Sequence, residues 1–73
     1  MNTERVAIPI RELACAGGTQ PLNHALRQIP GVVEVYVNPV TEIAYVDYDS
    51  GRCTRSQLEA AIREAGFHTS SHR

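Results

Sequence analysis

The stretch Val32-Val33-Glu34-Val35-Tyr36-Val37-Asn38-Pro39-Val40-Thr41-Glu42-Ile43-Ala44-Tyr45-Val46-Asp47-Tyr48 decides how this chain folds. Its first part alternates, with Val33, Val35 and Val37 set against Glu34 and Tyr36. Its second part alternates as well, with Ala44, Val46 and Tyr48 on one face and Ile43, Tyr45 and Asp47 on the other. A period of two is the mark of a half-buried strand, because successive side chains point to opposite faces. Asn38-Pro39-Val40-Thr41 between them is a turn by composition. The segment therefore predicts two strands, Val32–Val37 and Glu42–Tyr48, with one apolar and one open face. Asp49-Ser50-Gly51 ends the second of them.

Downstream, Thr54-x-x-Gln57 and Ser56-x-x-Glu59 are overlapping capping boxes at a helix start. Leu58, Ala61, Ile62 and Ala65 recur at helical spacing, and Gly66 is placed as a left-handed C-cap. Upstream, Pro30-Gly31 stops an earlier helix whose apolar stripe is Leu22, Ala25, Leu26 and Ile29. Thr19 or Gln20 is its expected cap, with Pro21 in its first turn. Before that lies the small, flexible run Ala14-Cys15-Ala16-Gly17-Gly18-Thr19. Val6, Ile8 and Ile10 alternate in a first strand. Pro9 cannot donate to a ladder, which points to a poorly paired side there. The order is β-α-β-β-α with room for a short last strand. This is the split βαβ, ferredoxin-like α+β sandwich, with two helices on one face of an antiparallel sheet. In that topology the first strand lies between the third and the last. A short or frayed fourth strand would leave it nearly an edge.

Composition narrows the function. The chain has 73 residues, is 42% hydrophobic and 21% charged, and carries a formal net charge of -1. Seven basic residues, all Arg, face eight acidic ones. That balance lacks the basic footprint of nucleic-acid binding and the polybasic cluster that anionic lipid attracts. Tyr36 and Tyr45 on the open face do not change this, because no RNA-binding strand motif accompanies them. No apolar run reaches the roughly 20 residues of a bilayer span. Met1 is not followed by a basic leader and an apolar stretch, so a reducing, cytoplasmic setting is expected. There the two cysteines, Cys15 and Cys53, are more readily thiols or metal ligands than a disulfide. The topology also sets them at opposite ends of the domain, beyond the roughly 7 Å a disulfide allows. Cys53 is then a partly exposed thiol before the second helix. The sequence shows neither a Ser/His/Asp set nor paired carboxylates, so no enzyme is expected. An acylphosphatase of the same topology needs an Arg in the first loop and an Asn on the third strand, and both are missing.

Several pieces together carry a resemblance: Leu13-Ala14-Cys15-x-x-Gly18, Leu22, Leu26, Pro30-Gly31-Val32 and Val35-x-Val37-Asn38. The others are Thr41-Glu42-x-Ala44-x-Val46-x-Tyr48-Asp49 and Leu58-x-x-Ala61-Ile62-x-x-Ala65-Gly66-Phe67. The chain resembles the heavy-metal-associated domain of copper chaperones, mercury-binding proteins and the amino-terminal modules of P-type metal-transporting ATPases. The resemblance runs from Val6 to Phe67. It implies one domain over 1–73 with a core over 5–68, and with 69–73 as a polar tail or the start of a linker.

The family's site is a Cys-x-x-Cys between the first strand and the first helix. Here the first position is Cys15 and the second is Gly18, and Leu13 stands where the family usually has a buried Met. A soft ion takes two thiolates, or a thiolate and an imidazole. Cys15 precedes a helix start, which favours a negatively charged group. His68 follows Phe67 in the loop after the second helix, at the same end of the fold, and is the candidate second ligand. The alternatives are a relic thiol at Cys15 and a solvent-facing histidine at 68. His24 falls on a solvated helix face, and His72 in the tail. The implied cargo is Cu(I), then Zn(II), or no metal at all. The implied partners are a metal-transport ATPase, a metallochaperone domain, or a second copy bridged by metal through Cys15. The competing expectation is an interaction or regulatory domain that has lost its metal.

Overall fold

The computed structural model describes residues 2–69. Its elements are β1 (Thr3–Arg11), α1 (Thr19–Arg27), β2 (Val32–Asn38), β3 (Ile43–Asp49), α2 (Arg55–Glu64) and β4 (His68–Thr69), with a 3-10 turn over Ala14–Ala16. The sheet order is β2-β3-β1-β4, and every pairing is antiparallel. This is the expected ferredoxin-like sandwich. Of the expected 69–73 tail, Thr69 ends β4 in register with Ile10, and the rest, His72 included, lies outside the described residues.

Alternation builds the core. Val6, Ile8 and Ile10 of β1, Val35 and Val37 of β2, and Ala44, Val46 and Tyr48 of β3 are buried on one face. Leu22 and Leu26 of α1 and Leu58 and Ile62 of α2 are fully buried against them. Each such leucine or isoleucine contributes about 1.5–3 kcal/mol of burial free energy. Leu13, Cys53 and Phe67 from the connections complete the cluster.

The β1–β3 ladder runs from Thr3↔Asp49 to Pro9↔Ile43, so β1 is longer than its alternating run suggests. By contrast, among the described residues β4 meets β1 at Ile10↔Thr69 and Arg11↔His68. The Ile10 N–H donates to the Glu42 carbonyl on the β3 side. The nitrogen of Pro9 therefore faces away from β3. A proline there costs the β1–β3 ladder no hydrogen bond.

Val33 departs from the sequence reading. A bulge between Val32 and Glu34 gives β2 one extra residue, which turns Val33 outward at 55% exposure and leaves Val32 against the core. Ala65, expected in the buried stripe of α2, is exposed because it is already the helix C-cap. The ends of α2 are otherwise as the sequence predicts. Thr54 and Gln57 form the reciprocal capping box. At the other end the Gly66 N–H donates to the Arg63 carbonyl and the Phe67 N–H to the Ile62 carbonyl, a Schellman motif with Gly66 at φ 95°. That motif drives Phe67 into the core.

On the open face Tyr36 and Tyr45 stack with ring centroids 6.2 Å apart, beside the Arg5–Asp47 ion pair. The guanidinium of Arg5 holds the Asp47 carboxyl below its ordinary range, chiefly by hydrogen bonding. No helix among the described residues is long and apolar enough to cross a membrane.

Candidate functional site

Three connections converge where β1 ends: the β1–α1 loop, the β2–β3 turn and the α2–β4 link. The antiparallel registers Pro9↔Ile43, Asn38↔Ile43 and Arg11↔His68 require this. The β1–α1 loop is built around Leu13. Its side chain is 2% exposed, and its carbonyl accepts from the N–H groups of Ala16 (3.2 Å) and Gly18 (3.0 Å). The intervening residues, Ala14–Ala16, form the 3-10 turn, which places Cys15 in solvent as a free thiol. Leu13 thus plugs the core while the thiol two residues on stays outside.

Gly18 is the N-cap of α1, with φ 88° and ψ -164°. This replaces the expected cap at Thr19 or Gln20, and no side chain caps the helix. Residues with a Cβ are essentially absent from that backbone region. The space around Gly18 is nevertheless open, since an added Cβ would meet nothing within 4 Å. The second family position is therefore a glycine in a glycine's conformation.

His68 is exposed on β4, in register with Arg11 at the Cys15 end. Cys15 and His68 thus share one end of the sheet. His24 is exposed on α1, as expected. No group of three or more His, Cys, Asp or Glu side chains among the described residues is arranged to hold an ion.

Cys53 is the correction. Expected partly exposed, it is 3% exposed and packed in the core cluster ahead of α2. Its Sγ donates to the Thr54 carbonyl at 3.6 Å, and burial pushes its pKa up. A Cβ on Gly31 would come within 3.0 Å of the Cys53 Cβ, so the thiol lies beneath the α1–β2 turn. Glu42 was missed altogether as a residue of this end. Its carboxylate accepts the Leu13 N–H at 3.1 Å across 29 residues, and neither periodicity nor spacing signals such a contact.

The fold and this loop define a class of small α+β domains: a ferredoxin-like sandwich with an exposed thiol between its first strand and first helix. The chain belongs to the heavy-metal-associated domain family, whose model matches residues 8–68. It is 40% identical over 60 residues to copper-transporting ATPase 2 of Rhizobium meliloti (strain 1021), which covers 82% of this chain and 7% of that protein. The chain therefore spans a small part of that relative. Oxidized MerP from Ralstonia metallidurans CH34 shares the fold with a TM-score of 0.88 at 24% identity, over 99% of this chain and 100% of that one. The Cu(I)-loaded N-terminal domain of a potential copper-translocating P-type ATPase from Bacillus subtilis matches with a TM-score of 0.84 and 26% identity. That match covers 93% of this chain and 85% of that one.

Proposed function

We propose that this chain is a soft-metal binding and trafficking module, with Cu(I) as its cargo ahead of Zn(II). It acts in the cytosol, either as a small carrier or as the amino-terminal module of a P-type metal-transporting ATPase. The observation that carries this reading is Cys15: a free, exposed thiol on the loop between β1 and α1, in a member of the heavy-metal-associated family. A thiolate suits Cu(I) because both are soft and polarisable.

With Gly18 in the second position, one loop supplies one thiolate. The second ligand comes from the His68 imidazole, or from the Cys15 of a second molecule. Two such loops meeting head to head give a two-thiolate, linear arrangement suited to Cu(I). The same encounter with a thiol-bearing domain of an ATPase or metallochaperone passes the ion on by exchange of one ligand for another. The domain binds and delivers; it does not catalyse.

A second reading, an interaction or regulatory domain without metal, draws support from the glycine-only backbone at Gly18. Anaerobic Cu(I) titration against a competing chelator separates the two. Metal transport predicts uptake by the wild type, loss in Cys15→Ser and weakened one-to-one binding in His68→Ala. Absence of uptake by the wild type, with its thiols shown to be reduced, leaves the interaction reading.

A further inference from the structure

Glu42 lies in the turn before β3 and grips the chain on both sides of the point where β1 leaves the sheet. Its carbonyl accepts the Ile10 N–H at 2.7 Å. Its carboxylate Oε2 accepts the Leu13 N–H at 3.1 Å. Its own N–H donates to the Asn38 carbonyl at 2.8 Å, which fixes it to β2. The two residues spanned by this double grip, Arg11 and Glu12, must turn sharply, and Glu12 does so at φ 55°. Glu42 itself sits at φ 60°. Positive φ is disfavoured for any residue with a Cβ, and glycine or asparagine adopts it more readily. A glutamate held there has a side chain in use.

The grip reaches Cys15 through Leu13. The Leu13 N–H is held by Glu42, its side chain is buried in the core, and its carbonyl is held by Ala16 and Gly18. Both backbone polar groups of the residue that opens the Cys15 turn are thereby bonded, and its side chain is packed. We infer that Glu42 is the positioning residue of the Cys15 loop: its carboxylate sets the presentation of the thiol from the neighbouring hairpin. The inference rests on the reading that Cys15 binds the ion. Its chemistry stands apart from the metal, because a carboxylate bonded to a backbone N–H is a charge-assisted hydrogen bond.

The test compares Glu42→Ala, Glu42→Gln and Glu42→Asp. Glutamine keeps an acceptor oxygen at the same reach, whereas aspartate keeps the charge and tolerates positive φ but falls short of Leu13. Hydrogen exchange at the Leu13 amide reports the grip without metal, and Cu(I) competition reports its consequence. Alkylation of buried Cys53 monitors global opening. In Glu42→Ala, Leu13 exchange should rise about tenfold, the loss of one such bond. Cu(I) affinity should fall roughly tenfold, the scale on which orienting partners act. Glutamine, a neutral acceptor at the same reach, should restore both in part, and aspartate should behave as alanine does. Should Glu42→Ala fail to fold, Glu42→Asp carries the comparison. Unchanged Leu13 exchange, or glutamine no better than alanine, would overturn the inference. A wild type that takes no Cu(I) would instead overturn the metal reading, with Leu13 exchange still deciding the role of Glu42.

Discussion

Two thiols on one short chain occupy opposite ends of the fold and opposite environments. Cys15 stands in solvent on a 3-10 turn between β1 and α1, whereas Cys53 is buried ahead of α2 beneath Gly31. The same side chain is a candidate ligand in one place and a small core residue in the other. What separates them is backbone. At the Cys15 end, Leu13 buries its own side chain and so holds the thiol two residues later outside. At the Cys53 end, the capping box of Thr54 and Gln57 fixes the helix start, and the residue just before it falls inside. A cysteine count alone cannot draw this distinction.

Substitutions at the two ends should have opposite consequences. Cys15→Ser should abolish soft-metal binding and leave the thermal midpoint unchanged, because the exposed thiol buries nothing. Cu(I) competition and thermal melting on one sample check both halves. Next in size is Gly18→Cys, which restores a second thiol at the family's position. It should convert binding to tight one-to-one uptake while costing about 1–3 kcal/mol of apo stability, since φ 88° and ψ -164° suit only glycine. Urea denaturation of the metal-free variant measures that cost.

At the other end, Cys53→Ala should leave Cu(I) uptake intact and lower stability by about 1 kcal/mol, the scale of a small deletion from a packed core. A metal defect in that variant would contradict the division of labour. The smallest effect is pH dependence. Burial raises the folded-state pKa of Cys53, so the unfolded chain releases this proton first as pH rises. The associated stability is whole below the thiol's ordinary pKa and is lost as pH rises through the folded value. Urea midpoints taken near pH 8 and again near pH 10 should fall more in wild type than in Cys53→Ala.

The sequence discloses most of the fold because its signals are local. The alternation of Val35, Val37, Ala44 and Val46, the Thr54/Gln57 box and the Gly66 cap each act within a few residues, and the structure uses all of them. The misses share a different origin. Val33 continues the alternation of β2 on paper, but the bulge is set by pairing with β3, and it turns that valine outward. Thr19 is a better cap by residue type than Gly18. The helix nevertheless starts from Gly18, because the Gly18 N–H is tied back to Leu13. The sequence places Cys53 as a partly exposed thiol before the second helix, and only the packing of the α1–β2 turn over it shows otherwise. At the candidate site, the place of Cys15 in a loop of small residues before a helix was legible. The Glu42 contact was not, because it joins residues 29 apart.

On the metal-binding proposal, one loop offers one thiolate and a second ligand is recruited from elsewhere. Native mass spectrometry of the anaerobic, Cu(I)-loaded chain, with Cys15→Ser alongside, tests it most directly. The expected result is one copper shared by two chains, or a weak one-to-one species that His68→Ala diminishes, both absent in Cys15→Ser. Tight one-to-one copper that survives Cys15→Ser would contradict it.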